Sequence, residues 1–199
     1  MISRNHELGC GCWRCTANQL GDWFDQLGAQ TEASEWQQFV TVTYRTKAYP
    51  WSRGFPGSGD GMPNAEFGHH CFENFVSELS ARVGARVDYI VGDQYGELHG
   101  RFHQHALLAA NGLDALPCKQ LEGWLRKRGG WSRVLPFERG AAYYLAKYIG
   151  LNLDAAEWTV QVGRQAIGRE KDEVGRIVIA KSADLSSALF HQTLPHRKR

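Results

Sequence analysis

The sequence lacks the features that would assign the chain to several broad classes. It contains no run of about 20 apolar residues that would cross a membrane. Residues 1–7 lack the basic-then-apolar order of a signal peptide. There is no internal repeat and no phosphate loop of the G-x-x-x-x-G-K-S/T kind, so we expect no helicase motor in this chain. A cytoplasmic protein without membrane contacts is therefore expected.

The sequence also has almost no excess of positive over negative charge. The formal net charge is +2 and the isoelectric point is about 8.3. These values are too mild to indicate a nucleic-acid binder, because affinity for a phosphate backbone comes from many basic contacts. Basic residues cluster locally at residues 126–128, at Arg45 with Lys47, and in the tail 196–199. Such runs are more often solvated faces than binding sites.

Cysteine is present in an odd number, five, which argues against a disulfide framework. Three of the five, Cys10, Cys12 and Cys15, are crowded near the start of the chain. Their spacing suggests a small structural Zn²⁺ site, which would need a fourth ligand. The candidates for that ligand are His6, Cys71, His69 and His70. The alternative is three reduced cysteines at the start of a helix.

The sequence does contain enough apolar residues for the core of one domain. Of the 199 residues 43% are hydrophobic, and they include seven tryptophans, nine phenylalanines and seven tyrosines. A chain of this length can bury one core and has little room for two. We expect a cysteine-rich segment with a helix over residues 1–30, a catalytic domain over 36–153, and an extension with a basic tail over 154–199.

Hydrophobic periodicity predicts the element order helix, strand, helix, strand, strand, helix, strand, helix. The predicted elements are a helix ending near Gly28, a strand at 39–44, a helix at 72–83, strands at 86–94 and 102–109, a helix opened by Asp114 and Pro117, a strand at 133–135 and a helix at 138–149. Without the first helix this is βαββαβ, an α+β ferredoxin-like or RRM-like antiparallel sheet with helices on one face. Residues 158–162 and 176–180 are a further predicted hairpin.

His103 and His105 are the first candidates for chemistry. They are two residues apart on a predicted strand, so their side chains leave the same face and can converge on one ion. Histidines at this spacing can also simply pack or hydrogen-bond. Two imidazoles and one oxygen donor, with positions left open, suit Mg²⁺ or Mn²⁺ better than a closed zinc site. Such an ion would draw charge from a phosphate oxygen.

The hairpin that carries the histidines limits the choice of an oxygen ligand. A turn centred between residues 98 and 99 sets Gln94 opposite His103, whereas a slip of one residue substitutes Asp93. Glu97, nearer the turn, is another candidate. The ligand is therefore expected to be Gln94, with Asp93 and Glu97 as alternatives.

The nucleophile candidates lie on the last predicted helix. Tyr144 and Tyr148 are four residues apart and Lys147 is three beyond Tyr144, so all three lie near one side of the helix. A phenol is a weak nucleophile at neutral pH and needs a polarised electrophile and a nearby cation. The two tyrosines can also be ordinary core aromatics. The element order allows the sheet to carry an ion with this helix beside it.

Three motifs in this order resemble those of HUH endonucleases of the rolling-circle replication type. Residues 39–44 resemble the first motif of that family, residues 100–108 its metal-binding motif, and residues 144–148 its nucleophile motif. The similarity covers roughly residues 8–152. It is strongest to the replication initiators of small single-stranded DNA phages, which are microvirus-like. The glutamate that is usual in this family falls on Gln94 here, and the middle residue of the histidine pair is Gln104, where the family normally has an apolar residue.

The resemblance implies a site-specific single-strand DNA nickase and strand transferase that initiates rolling-circle replication. Tyr144 would form a 5′-phosphotyrosine link, Tyr148 could be a second nucleophile, and Lys147 would steady the phosphate or the phenolate. The expected partners are single-stranded or hairpin origin DNA, a host helicase and a host polymerase. A phage, plasmid or related mobile element would encode the protein, which would act in the host cytoplasm.

Three other functions are compatible with the same residues. A transposase of the same chemical class would use the same histidines and tyrosine. A non-catalytic nucleic-acid-binding module would use the ferredoxin-like sheet alone, and its binding would not depend on metal. A metal-dependent hydrolase would use water and would never form a covalent product.

Overall fold

Four helices and six strands form the part of the chain that the computed structural model describes, namely residues 13–44, 65–95, 101–138, 140–151, 159–165 and 175–178. The helices are α1 (Trp13–Gly28), α2 (Ala65–Val83), α3 (Cys118–Arg128) and α4 (Gly140–Leu151). The strands are β1 (Gln38–Tyr44), β2 (Val87–Tyr95), β3 (Phe102–Ala109), β4 (Gly130–Pro136), β5 (Thr159–Gln165) and β6 (Gly175–Val178). No described helix combines the length and apolar character needed to cross a bilayer.

The strands form one antiparallel sheet in the order β4-β1-β3-β2-β5-β6. Its first four strands, with α2 and α3 between them in the chain, are the βαββαβ unit of a ferredoxin-like fold. The predicted α+β fold is therefore confirmed. The hairpin predicted after residue 154 is also confirmed, because β5 and β6 pair with each other and extend the sheet beside β2. The division of the chain into domains stays a prediction.

The first face of the sheet is largely apolar and lies under α2 and α3. Alternate residues of β1 point to this face, because side chains on a strand alternate between its two sides. They pack with apolar residues of both helices in one continuous core. The buried members include Val40, Val42, Phe72, Phe75, Val76, Leu79, Val91, Leu108, Leu121 and Leu125.

The second face is covered in part by α1 and α4. Leu20 and Phe24 of α1 and Leu145 of α4 are buried in a second core with Ile90 and Leu107 of the sheet. The prediction of helices on one face therefore holds for α2 and α3 of the βαββαβ unit. The other two helices lie on the opposite face because Ile90 and Leu107 make it apolar there, and removing that surface from water stabilises the fold.

Close contact between α1 and α4 determines where α4 lies. The Tyr143 ring lies directly against Gly21, where a Cβ atom would collide with it. The Tyr143 hydroxyl then donates a hydrogen bond to the Asp22 carboxylate. Tyr143 thus faces α1, whereas its neighbour Tyr144 lies over the sheet, where its ring contacts Phe39.

The second face changes from apolar to polar along the strands. Residues of β4, β1, β3 and β2 that lie opposite one another form three rows across the sheet. They are the apolar row Leu135, Phe39, Leu107 and Ile90, the middle row Arg133, Thr41, His105 and Gly92, and the outer row Trp131, Thr43, His103 and Gln94. The helices cover Phe39, Leu107 and Ile90 of the apolar row, whereas Leu135 is exposed. The middle and outer rows contain the candidate metal ligands.

A buried polar network lies on the first face, directly behind the outer and middle rows. The Asp93 carboxylate is 2.7 Å from His69 Nε2 through one oxygen and accepts a 2.7 Å hydrogen bond from Gln104 Nε2 through the other. The Tyr44 hydroxyl lies 2.7 Å from Gln104 Oε1. Burial raises the pKa of Tyr44 well above its usual value, so this phenol stays protonated and can donate. The network ties β2 and β3 to α2 in one register.

The network predicts a large loss of stability when its shared acceptor is removed. Asp93→Ala leaves the buried nitrogens of His69 and Gln104 without that carboxylate, so we expect the free energy of unfolding to fall by about 2 to 4 kcal/mol. Urea unfolding measures this, and Asp114→Ala, at an exposed carboxylate, should change it by less than about 0.5 kcal/mol. Equal effects of the two substitutions would contradict the role of the network.

Candidate active site

Three side-chain atoms of the outer and middle rows converge on one point. His103 Nε2 lies 2.7 Å from Gln94 Oε1, and His105 Nε2 lies 3.0 Å from the same oxygen. The pairing of Gln94 with His103 is the register predicted for a turn centred between residues 98 and 99. Because His103 and His105 are two residues apart on β3, both imidazoles leave the same face, where Gln94 meets them.

The other nitrogen of each imidazole contacts a protein oxygen. His103 Nδ1 lies 3.1 Å from the Arg101 carbonyl oxygen, and His105 Nδ1 lies 3.0 Å from Thr41 Oγ1. A carbonyl oxygen can only accept, so His103 Nδ1 carries a proton and donates it. In the tautomer with its proton on Nδ1, the lone pair of His103 Nε2 faces another acceptor, Gln94 Oε1. A cation among the three atoms would satisfy all of them, as metal-binding histidines with oxygen partners on the second nitrogen do.

Burial keeps His105 in the neutral form that binds metals. Burial, and then the charge of His103, lower the pKa of His105 to about 3. The His105 imidazole is therefore neutral at neutral pH. One of its two nitrogens carries a proton, and the other has a lone pair that can bind a metal. Phe39 stacks on the same imidazole, with ring centroids 5.7 Å apart and ring planes 8° apart. This aromatic neighbour accounts for part of the burial.

The donor set could hold a divalent ion. It contains two imidazoles and one amide oxygen, and it leaves coordination positions for water or a phosphate. In the described part of the chain no group of three or more His, Cys, Asp or Glu side chains could hold a metal ion. The third donor proposed here is an amide, which lies outside that set of residue types.

Tyr144 lies beside the histidines. Its ring makes edge-to-face contacts with the His105 imidazole at a centroid distance of 5.6 Å and with the Phe39 ring at 5.7 Å. Although its helix neighbours Leu145 and Ala146 are buried in the second core, Tyr144 is 42% exposed. The helix thus brings a solvent-accessible phenol to the edge of the candidate metal site.

The structure describes less about the other two candidates on α4, Lys147 and Tyr148. Lys147 is exposed and lies one turn after Tyr144. Tyr148 belongs to the same helix, but its side chain lies outside the described residues. The roles of both residues in the reaction stay predictions.

Asp93, one of the two alternative oxygen ligands, is not brought to the histidines. Asp93 points to the first face, where it contacts His69 and Gln104, because successive side chains of a strand alternate. Glu97 lies outside the described residues. Of the two described candidates, the structure places Gln94, and not Asp93, against both imidazoles.

The zinc candidates are only partly described. His6, Cys10 and Cys12 lie outside the described residues, and Cys15 is half-buried in α1. Of the candidates for a fourth ligand, Cys71 is buried in the first core, His69 contacts Asp93, and His70 is exposed next to Asn74. The zinc site stays a prediction.

Sequence reasoning missed Thr41 and Phe39 as partners of His105. Both belong to β1, which precedes β3 by about sixty residues and pairs with it only in the folded sheet. The alternation of Phe39, Thr41 and Thr43 indicates that they share a face. That signal does not give the register between β1 and β3, so it could not identify their partner.

Comparisons with known proteins leave the family open. No protein-family model matches the chain, and no curated protein matches it. Among solved structures, the N-terminal nuclease domain of non-structural protein-1 of minute virus of mice matches at 13% sequence identity, over 87% of this chain and 82% of that chain, with a TM-score of 0.24. That domain is described as having a unique Zn²⁺ coordination in its active-site pocket and a novel mode of DNA recognition at the origin of replication. At this TM-score the similarity supports no inference about the present chain.

The low pKa of His105 predicts a loss of stability in acid. Above pH 6.5 neither the folded nor the unfolded state binds this proton. Between pH 6.5 and about pH 3 only the unfolded state binds it. The free energy of unfolding therefore falls by up to about 1.4 kcal/mol for each unit by which the pH is lowered. Urea unfolding in the presence of a chelator should therefore show a flatter pH dependence for His105→Gln than for the wild type. Identical slopes would show that His105 titrates normally.

Proposed function

We propose that this protein is a metal-dependent, single-strand DNA nickase and strand transferase of the HUH class that initiates rolling-circle replication. The observation that supports this most is the meeting of His103, His105 and Gln94 in front of one exposed tyrosine, Tyr144. Both Nε2 atoms face one oxygen atom, Gln94 Oε1, as expected of ligands that share one ion. The order of the three motifs along the chain agrees with the same function.

In this proposal His103, His105 and Gln94 hold Mg²⁺ or Mn²⁺. When bound, the ion supplies Lewis-acid stabilisation of charge on the scissile phosphate. The contacts from Thr41 and the Arg101 carbonyl hold the two imidazoles in orientation. Because these contacts engage the Nδ1 atoms, the Nε2 atoms are the ones directed to the ion.

Tyr144 is the nucleophile of the proposed reaction. Its hydroxyl oxygen bonds to the phosphorus, its proton passes to water, and the bond from phosphorus to the 3′-oxygen breaks. The departing 3′-oxygen takes up a proton and becomes the 3′-hydroxyl that primes synthesis. Because the 5′-phosphotyrosine conserves the phosphodiester energy, a 3′-hydroxyl can attack it in reverse and rejoin the strand. Lys147 would steady the phosphate or the phenolate, and Tyr148 would serve as a second nucleophile.

The proposal also includes the other segments of the chain, the DNA substrate and the host partners. Residues 36–153 would form the catalytic domain, with a zinc site of Cys10, Cys12 and Cys15 before it and the extension 154–199 after it. The substrate would be single-stranded or hairpin origin DNA of a phage, plasmid or related element. A host helicase would unwind the duplex and a host polymerase would extend the 3′-end.

The proposal predicts a covalent product that depends on one tyrosine. Incubation with labelled single-stranded DNA pools and Mn²⁺ should give a protein band that carries DNA on a denaturing gel, and a chelator should abolish it. Tyr144→Phe and the double substitution His103→Ala, His105→Ala should each reduce the adduct at least about a hundredfold.

Tyr143→Phe is the matched control for this experiment. It removes the neighbouring hydroxyl, which contacts Asp22 on α1, and should keep the adduct. An effect of Tyr148→Phe on strand rejoining alone would support two alternating tyrosines. Metal-independent DNA binding with no adduct from any pool would favour the non-catalytic binding module, and multiple turnover without an adduct would favour the hydrolase.

The amide ligand predicts a change in metal affinity. Gln94→Glu replaces a neutral oxygen donor with a carboxylate at the same position, so we expect Mn²⁺ to bind about tenfold or more tightly. Titration followed by electron paramagnetic resonance of free Mn²⁺ gives the affinity. Gln30→Glu introduces the same charge at an exposed position near α1 and should leave it unchanged. Equal affinities of Gln94→Glu and the wild type would remove Gln94 from the ligand set.

A further inference from the structure

The edge strand β4 carries a large exposed aromatic side chain on the same face as the candidate active site. Trp131 is 55% exposed and shares the outer row with Thr43, His103 and Gln94. Two strand spacings, about 10 Å, separate it from His103 along this row. Next to it on β4, Arg133 shares the middle row with His105. An aromatic ring and a guanidinium thus continue the two rows that contain the candidate metal ligands.

Basic side chains surround this part of β4. Lys119 Nζ is 3.1 Å from the Glu122 carboxylate, Arg126 Nη2 is 3.7 Å from it, and Arg133 Nε is 4.0 Å from it. Glu122 itself is buried, whereas the three basic side chains are between 53% and 80% exposed. Three cations therefore meet one carboxylate, which leaves a positive excess on the surface. Arg126 belongs to the basic run 126–128 that stands out in the sequence.

The edge of β4 is closed to strand addition at its centre. Glu122 of α3 accepts a hydrogen bond from the Val134 backbone nitrogen, and its carbonyl oxygen accepts one from the Ser132 hydroxyl. A partner peptide that adds a strand needs such backbone groups, so α3 competes with it. The exposed features beside this edge are instead the Trp131 ring on the second face and the three basic side chains around Glu122. Their complement is an anionic chain with accessible flat faces, and single-stranded DNA supplies both phosphates and unpaired bases.

We propose that Trp131, Arg133, Lys119 and Arg126 form a β4 patch that binds the single-stranded DNA leading away from the scissile phosphate. A base stacks on Trp131, and the phosphates next to it lie against the three basic side chains. This inference rests on the proposed function, because it concerns the DNA that the nickase would hold. It goes beyond that function by assigning the strand path to the β4 side of the sheet.

Binding of labelled oligothymidine, measured by fluorescence anisotropy in the presence of a chelator, tests the patch without cleavage. Trp131→Ala should raise the Kd about five- to hundredfold, as expected when a stacked base loses its aromatic partner, and Trp131→Phe should restore most of the affinity. Tyr95→Ala is the matched control, because Tyr95 is also exposed but lies on the opposite face next to Phe102. Equal effects of Trp131→Ala and Tyr95→Ala would overturn the proposal.

The salt dependence of oligothymidine binding tests whether the basic side chains contact phosphates. Lys119→Gln and Arg126→Gln should each reduce the slope of log affinity against log salt by about 0.7 for each phosphate that the variant no longer neutralises. Arg82→Gln removes the same charge on α2, where Arg82 pairs with Glu78, and should leave the slope unchanged. A duplex that binds as tightly as the oligothymidine, and weakens as much in Trp131→Ala, would overturn the assignment to single strands.

The adduct assay separates this inference from the proposed function. If Trp131→Ala binds normally while the wild type forms the covalent adduct, the β4 patch is wrong and the nickase stands. If Trp131→Ala weakens binding while no protein forms an adduct, the patch stands and the nickase is wrong. Recovery of the Trp131→Ala adduct at saturating DNA would support both.

Discussion

The pairing register of β2 and β3 is the constraint on which the candidate site depends. A slip of one residue would turn every side chain of β2 to the opposite face and replace Gln94 by Asp93 beside the histidines. In the observed register Gln94 meets His103 and His105 on the second face, and Asp93 meets His69 and Gln104 on the first. The same pairing places both sets of polar groups. The buried network therefore stabilises the arrangement that the ligands need.

The second face combines two surfaces with different roles. Near one end of the strands, Ile90 and Leu107 are buried under α1 and α4, and this packing holds α4 over the sheet. Toward the other end the rows become polar and partly exposed, as a site that receives a charged strand requires. Tyr144 stands at the boundary, with its helix anchored in the apolar part and its ring beside His105. Packing of the helix thus places the nucleophile candidate next to the ligand candidates.

Much of the local arrangement could be predicted from the sequence, and the long-range part could not. The alternation of side chains on a strand predicts that His103 and His105 share a face, and the turn position predicts Gln94 as their partner. The element order predicts the ferredoxin-like strand order. Thr41 could not be assigned to His105, because β1 and β3 are far apart in the chain and no short turn fixes their register. Coverage of the second face by α1 and α4 escaped prediction, since an amphipathic stripe does not say which surface it covers.

The central claim is that the Nε2 atoms of His103 and His105 and the Oε1 atom of Gln94 bind one divalent ion. Nuclear magnetic resonance of protein labelled with ¹⁵N in histidine tests this most directly, with Mn²⁺ added in small amounts. We predict that both residues carry their proton on Nδ1 and that their Nε2 signals broaden first among the histidines, with the broadening abolished in Gln94→Leu. Nε2-protonated rings whose signals are unaffected by Mn²⁺ would contradict the metal site.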